Sequence, residues 1–351
     1  MSVLGELDVP IVGAPMAGGP STPELAAAIS EAGGLGTLAA GYLKPERVVE
    51  DVRQARSLTQ RPLGVNVFVV SGAPADPVGV ADYEARLRRE AQRLGVELGA
   101  ARFDDDGFDE KVSVLCAEPV EVVSFTFGVP PADVVARLRA AGSEVWVTVT
   151  SLEEARQAAG LGVDALIVQG LEAGGHRGIF VDDEHAADLT LLAALQLIGA
   201  AVDVPLVAAG ALMTGPAVAA VLVAGAAAAQ LGTAYLRTPE AGTSMVQREA
   251  TAGDTATVLT RAFSGRTARG IANRLHAEHG ASAPAAYPEV HHLTAPMRAE
   301  GRRLGDADVV SLWAGQAHAM ARELPARELT HQLAQEARVA LRRASGRLDR
   351  G

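Results

Sequence analysis

Along this chain, short apolar runs alternate with longer stretches in which apolar residues recur every three or four positions. The run Ala165-Leu166-Ile167-Val168 is of the first kind: it has no polar alternation and ends at Gln169-Gly170. A parallel strand covered on both faces has this pattern. Similar runs lie at 10–16, 35–40, 62–70, 121–128, 144–149, 205–209 and 226–232. The stretches between them predict helices, several with start signals. Ser21 or Thr22 precedes Pro23 and Glu24, Ser151 precedes Glu154 at capping-box spacing, and Thr214 precedes Gly215-Pro216. A long polar stretch, 71–111, carries helical spacing around Tyr83, Leu87, Ala91 and Leu94.

Eight strand–helix units in series predict a closed (β/α)8 TIM barrel. A doubly wound open sheet would place GxGxxG after the first strand, and Gly13-Ala14-Pro15-Met16-Ala17-Gly18-Gly19 does not supply it. The barrel is expected over 1–240. From 241 to 325 the rhythm changes to scattered glycines, prolines and arginines, with Tyr287-Pro288 and Leu312-Trp313 among them. This predicts a helical accessory segment over the C-terminal mouth. The stretch 325–348 reads as a basic amphipathic helix packed on the outside and closing the barrel.

Composition narrows the function classes. The chain has 351 residues, 48% hydrophobic and 21% charged, as a well-buried core requires. A net charge of −11 argues against a nucleic-acid surface or a polybasic membrane anchor. The single cysteine, Cys116, permits no internal disulfide, so a reducing compartment is expected. No signal-peptide pattern and no run of membrane-spanning length is seen, and the expected location is the cytoplasm. The expected assembly is a monomer or homodimer.

The chemistry gathers where strands end. His176 follows the 165–168 strand in a glycine-rich turn with Gly174 and Gly175. Imidazole titrates near neutrality and suits a general base; a structural histidine bonded to a backbone carbonyl fits the same position. Arg177 beside it can hold the ring neutral or attract an anion. Gly210 and Gly232-Thr233 close the seventh and eighth strands, where barrels commonly bind phosphate; they can equally be plain strand ends. Asn66 and Gln169 bring amides to strand ends, suited to the uracil-like edge of a flavin or to a neighbouring loop. His276 and His279 lack a supporting metal-ligand pattern, and no metal is expected. Adjacent His291 and His292 point apart, so one of them can line a site. His185, His318 and His331 have weaker cases. Cys116 reads as core rather than nucleophile.

Several segments together resemble the nitronate monooxygenase family, formerly 2-nitropropane dioxygenases, and its bacterial class I members most. They are Ala14-Pro15-Met16-Ala17-Gly18-Gly19, Asn66-Val67-Phe68, the run from Gln169 to Gly178, Ala209-Gly210, Gln230-Leu231-Gly232-Thr233 and Ser311-Leu312-Trp313-Ala314-Gly315-Gln316, with FSGRTARG at 263–270. The EAGGH part is shared with FMN-dependent enoyl and quinone reductases; the SLWAGQ and FSGRTARG segments narrow the match. The resemblance implies an FMN-bound barrel. Asn66, Gln169, Gly174, Gly175, Gly210 and Gln230, Leu231, Gly232 and Thr233 would bind FMN, and backbone groups of Ala14, Pro15 and Met16 would meet its ring. His176 would be the base or the nitronate-orienting group. It also implies oxidation of alkyl nitronates, such as propionate 3-nitronate, by O2 to a carbonyl compound and nitrite or nitrate. In the implied mechanism an electron passes from the nitronate to FMN before O2 reacts. An NAD(P)H-dependent FMN reductase and a flavin-binding protein without turnover are the alternatives.

Overall fold

The computed structural model describes residues 2–70, 76–183 and 188–348. The apolar runs form strands β1 (Ile11–Gly13), β2 (Gly36–Ala39), β3 (Leu63–Phe68), β4 (Val122–Thr126), β5 (Glu144–Val149) and β6 (Ala165–Gln169). A two-residue strand, β7 (Gly175–His176), then precedes β8 (Leu206–Ala209) and β9 (Ala228–Leu231). All of these but β7 pair in parallel, in the order β1-β9-β8-β6-β5-β4-β3-β2. The ring closes through a parallel bridge between Val12 and Leu35, with Leu35 N–H on the Ile11 carbonyl at 3.0 Å. The fold is a TIM barrel. Its strands are buried on both faces, which is why their sequences do not alternate.

The start signals act locally as read. After the short α1 (Val3–Glu6), helix α2 (Pro23–Glu31) is capped by Thr22, whose hydroxyl accepts Leu25 N–H at 3.0 Å. Helices α3 (Pro45–Leu58), α4 (Pro77–Leu94), α5 (Phe108–Ala117) and α6 (Ala132–Ala140) follow. At α7 (Leu152–Gly160) Ser151 caps Glu154 N–H at 3.2 Å, but the Glu154 carboxylate turns to Thr150 N–H at 2.6 Å and Phe180 N–H at 2.8 Å. The reciprocal half of the box is therefore spent on tying down the loop after β6. Helices α8 (Leu191–Gly199) and α9 (Gly215–Val223) complete the regular outer layer.

A 3-10 turn, Thr233–Tyr235, stands where an eighth outer helix would start. The chain then builds α10 (Met245–Ala252), the antiparallel hairpin β10 (Thr257–Thr260) and β11 (Ala268–Ile271), α11 (Arg274–His279) and α12 (Glu289–Leu304) over the mouth. The accessory layer thus adds a hairpin to its helices, and β11 pairs with β7 of the barrel loop. Helix α4 shares this layer's core: Tyr83 and Leu87 are buried with Leu275, Leu293 and Met297. The last helix, α13 (Ala326–Leu348), returns to the barrel and packs between α9 and α2. Leu329, Leu333 and Ala337 bury its apolar stripe, and the Tyr235 and Thr330 hydroxyls meet at 2.7 Å. Among the described residues, no helix is long and apolar enough to cross a membrane.

Candidate active site

The C-terminal strand ends surround a cavity of about 550 Å³, a size ordinary for ligand sites. Every residue that the resemblance assigns to FMN, to its ring or to the active-site histidine lines it. Ala14, Pro15 and Met16 come from the loop after β1, Asn66 from β3, Gln169, Gly174, Gly175 and His176 from β6 and its loop, and Gly210 from β8. Gln230, Leu231, Gly232 and Thr233 come from the end of β9.

The backbone groups near β8 and β9 suit an anion. Gly210 has φ 147° and Ala211 φ 48°, so two successive residues stand in conformations that L side chains resist. No bond from either N–H is made to the described residues. Gly232 and Thr233 begin the 3-10 turn without a side-chain cap, which leaves their N–H groups free as well. The Thr233 hydroxyl accepts Gly315 N–H at 3.0 Å and keeps its proton to donate. The N-terminus of α9, by contrast, is not available. Its Gly215 N–H donates to the Glu336 carboxylate of α13 at 3.0 Å, so the barrel supplies its own anion there.

The amides divide. Gln230 is 9% exposed, and its amide finds no partner among the described residues. The Asn66 amide nitrogen is spent on Ser124 and Thr126, which leaves its oxygen toward the cavity. Gln169 is spent on its own loop, donating to the His176 carbonyl at 3.0 Å and accepting Gly178 N–H at 2.8 Å. The neighbouring-loop alternative describes Gln169, then, and it shapes the turn that carries His176. In the β1 loop, Ala14 N–H goes to the Leu231 carbonyl and Met16 N–H to the Ser21 hydroxyl, while Ser21 donates to the Ala14 and Met16 carbonyls, so the Pro15 carbonyl and apolar surface are what remain.

The cavity wall at His176 is built by the accessory layer. The ring Nε2 lies 2.8 Å from Ser264 Oγ. Tyr287, Phe127 and Trp313 stand around the ring, with centroids 5.8, 5.8 and 5.4 Å away. Burial, then the Arg266 and Arg298 charges, push the His176 pKa down to about 3. The ring is neutral at any working pH, and the charges responsible are not Arg177, the neighbour in sequence. Arg177 is buried and reaches the Gln169 carbonyl at 3.4 Å. Arg266 lies 4.0 Å above the Phe127 ring and donates to the Ile179 carbonyl. His291 also lines the cavity, stacked on Tyr42 with centroids 4.1 Å apart, whereas His292 faces Asp104.

Two sequence segments find their reason here. A Cβ on Gly174 would lie 2.5 Å from the Ala314 carbonyl carbon and Gly315 N, so the EAGGH turn and the SLWAGQ segment fit only backbone to backbone. The FSGRTARG segment brings Ser264 and Arg266 to His176. Sequence reading missed Ser264, Tyr42, Phe127, Arg298 and Arg302 as wall residues. The signal for Arg298 was its place on the buried face of α12, four residues after buried Thr294.

The remaining candidates lie elsewhere. Cys116 packs half-buried against the barrel core. His279 approaches Glu90 and Glu278, but Arg274 already pairs with both carboxylates, at 2.7 and 2.9 Å. His318 binds the Thr251 and Thr255 carbonyls, and His331 is exposed on α13. His185 lies outside the described residues.

A family model described as nitronate monooxygenase matches residues 3–336. The chain belongs to the nitronate monooxygenase family. It is 39% identical to a nitronate monooxygenase of Pseudomonas aeruginosa over 343 residues, 94% of this chain and 96% of that one. It is 38% identical to one of Paraburkholderia phytofirmans over 347 residues, covering 95% and 94%. Among solved structures it is similar to the nitroalkane oxidase of Streptomyces ansochromogenes, 50% identical with TM-score 0.95, covering 98% and 99%. It is also similar to FabK of Thermotoga maritima, 26% identical with TM-score 0.77, covering 98% and 97%. Nitronate monooxygenases are flavoenzymes. The protein is therefore an oxidoreductase for small nitronates or nitroalkanes.

Proposed function

We propose that the cavity holds FMN and that the protein oxidises alkyl nitronates, propionate 3-nitronate among them, with O2 to a carbonyl compound and nitrite or nitrate. The observation that carries this reading is the convergence of the β8 and β9 loops, with uncommitted N–H groups, on one cavity that ends at a neutral His176. Gly210, Ala211, Gly232 and Thr233 would hold the phosphate; the free Gln230 amide and the Asn66 oxygen would meet the ring's polar edge. Bound there, FMN would supply the electron acceptor that the barrel's own side chains lack.

The chain's part is to bind and orient. A base with a pKa near 3 takes a carbon-bound proton poorly, so His176 suits a substrate that arrives already deprotonated. The ring orients that anion beside Ser264, under the field of Arg266. The aromatic wall of Phe127, Tyr287 and Trp313 limits water.

The test is the spectrum of the purified protein, followed by nitrite release from pre-formed propionate 3-nitronate under air. A flavin spectrum with nitrite release supports the reading. Anaerobic bleaching by NADH at a catalytic rate, without nitrite release, would replace it with a reductase. Gly210→Val tests the cradle: its side chain enters at φ 147° and should weaken FMN loading about tenfold or more. Full loading of that variant would move the phosphate elsewhere.

A further inference from the structure

Helix α12 lays His291, Ala295, Arg298 and Arg302 along the cavity as one stripe. Arg298 is 8% exposed and held on two sides. Its Nε donates to Thr294 Oγ1 at 3.1 Å, and its Nη2 donates to the His291 carbonyl at 2.8 Å and to His291 Nδ1 at 3.3 Å. A guanidinium cannot accept, so His291 Nδ1 is the acceptor and that ring is neutral. Nη1 makes no hydrogen bond to the described residues, no carboxylate among them lies within ion-pair distance, and the residue lines the cavity. The groups around it give no counter-charge. Burial raises the Tyr42 phenol to about 12, Tyr287 is raised well above its ordinary value, and Arg302 adds a second cation one turn on. Burial lowers Arg298 itself only to about 10, so it stays charged. Tyr287 O–H donates to the Tyr42 oxygen at 3.4 Å, which leaves the Tyr42 proton free for the cavity.

A fixed, largely buried cation without a counter-charge is costly, and a ligand that brings the opposite charge removes that cost. We propose that Arg298 Nη1, with the Tyr42 hydroxyl, receives a carboxylate carried by the nitronate substrate, and so selects carboxylated nitronates over plain alkyl ones. The inference rests on the nitronate reading above. It assigns the anionic tail to α12 and the reacting end to His176; the Tyr287 ring neighbours both His176 and His291, at 5.8 and 6.2 Å. The flavin phosphate, in this arrangement, uses the β8 and β9 loops and not Arg298.

The experiment compares flavin-loaded wild type, Arg298→Met and Arg298→Lys on two substrates of similar length, propionate 3-nitronate and butyl-1-nitronate. Arg298→Met should lower kcat/KM for the carboxylated substrate about 10- to 100-fold, mainly through KM, as loss of a charged hydrogen bond does. It should change butyl-1-nitronate turnover less than about threefold, and Arg298→Lys should recover part of the loss. A proportional fall on both substrates, an unchanged ratio, or loss of flavin from Arg298→Met would each overturn the assignment. Butyrate, titrated against the flavin absorbance of wild type and Arg298→Met, separates the two readings. Butyrate bound by wild type and lost in the variant upholds the anion site even where neither nitronate is oxidised, a result that sinks the nitronate reading alone. Equal butyrate binding by both sinks the anion site.

Discussion

In the proposed reading His176 is the residue on which the chemistry turns, and its surroundings decide its form. With a pKa near 3 it has no proton to lose or gain between pH 5 and 8. The kcat/KM for a pre-formed nitronate should therefore be flat across that range, and a limb near 6.5 assigned to His176 would contradict the burial described. His176→Asn keeps a polar side chain but loses the ring that Ser264 holds. It should retain flavin and slow turnover about a hundredfold, the scale of one positioned polar group; unchanged kcat/KM would remove His176 from the mechanism. The sequence predicts a site residue here because a glycine-rich turn after a buried run has few other uses, and the folded chain brings His176 to the cavity. It does not show how far the ring is held from protonation, because the burial and the cations responsible, Arg266 and Arg298, come from distant parts of the chain.

Among the elements, the barrel strands are legible because burial on both faces leaves an unbroken apolar run and a glycine marks the end. β7 is not legible. It is two residues long, and its partner β11 lies about ninety positions away, so no local pattern announces it. The same holds for Gly174, which reads as a residue that lets backbone approach a ligand. In the folded chain the Ala314-Gly315 backbone takes that space. Gly174→Ala should thus act on the packing of the accessory layer, destabilising by about 1–3 kcal/mol through overcrowding. A shift in the emission of Trp313, the residue before Ala314, would accompany it. Chemical denaturation of the variant measures the first, and an unchanged midpoint would mean that the two segments do not meet as closely as described. The α9 N-terminus makes a similar point: Thr214-Gly215-Pro216 reads as a helix start, and nothing local announces that α13 brings Glu336 to it.

For the whole molecule, the two neutral histidines make stability depend on pH. The His291 pKa is pushed down to about 2 by burial, then by Arg298, and that of His176 to about 3. Both lie below the unfolded value of about 6.5. The stabilisation from keeping these rings neutral is thus fully present above pH 6.5. It is lost as pH falls, because the unfolded chain binds protons that the folded one refuses. Each ring should contribute up to about 1.4 kcal/mol of loss per pH unit below 6.5. Unfolding measured between pH 7 and 5 should show this slope, and His291→Gln should reduce it; an equal slope in that variant would place the sensitivity in other groups. Neither term is visible in the sequence, where His291 is one of an adjacent pair with no sign of which ring faces inward.

The position of α13 has a consequence for how the molecule is made. The outer wall between α2 and α9 is filled by a helix that leaves the ribosome after every strand of the barrel. Until that helix emerges, the first and last strands can pair but the seam behind them stays wet, and the α9 N-terminus lacks its carboxylate. The rim therefore reaches its working shape only once α13 has been made and docked, and flavin capture follows that step.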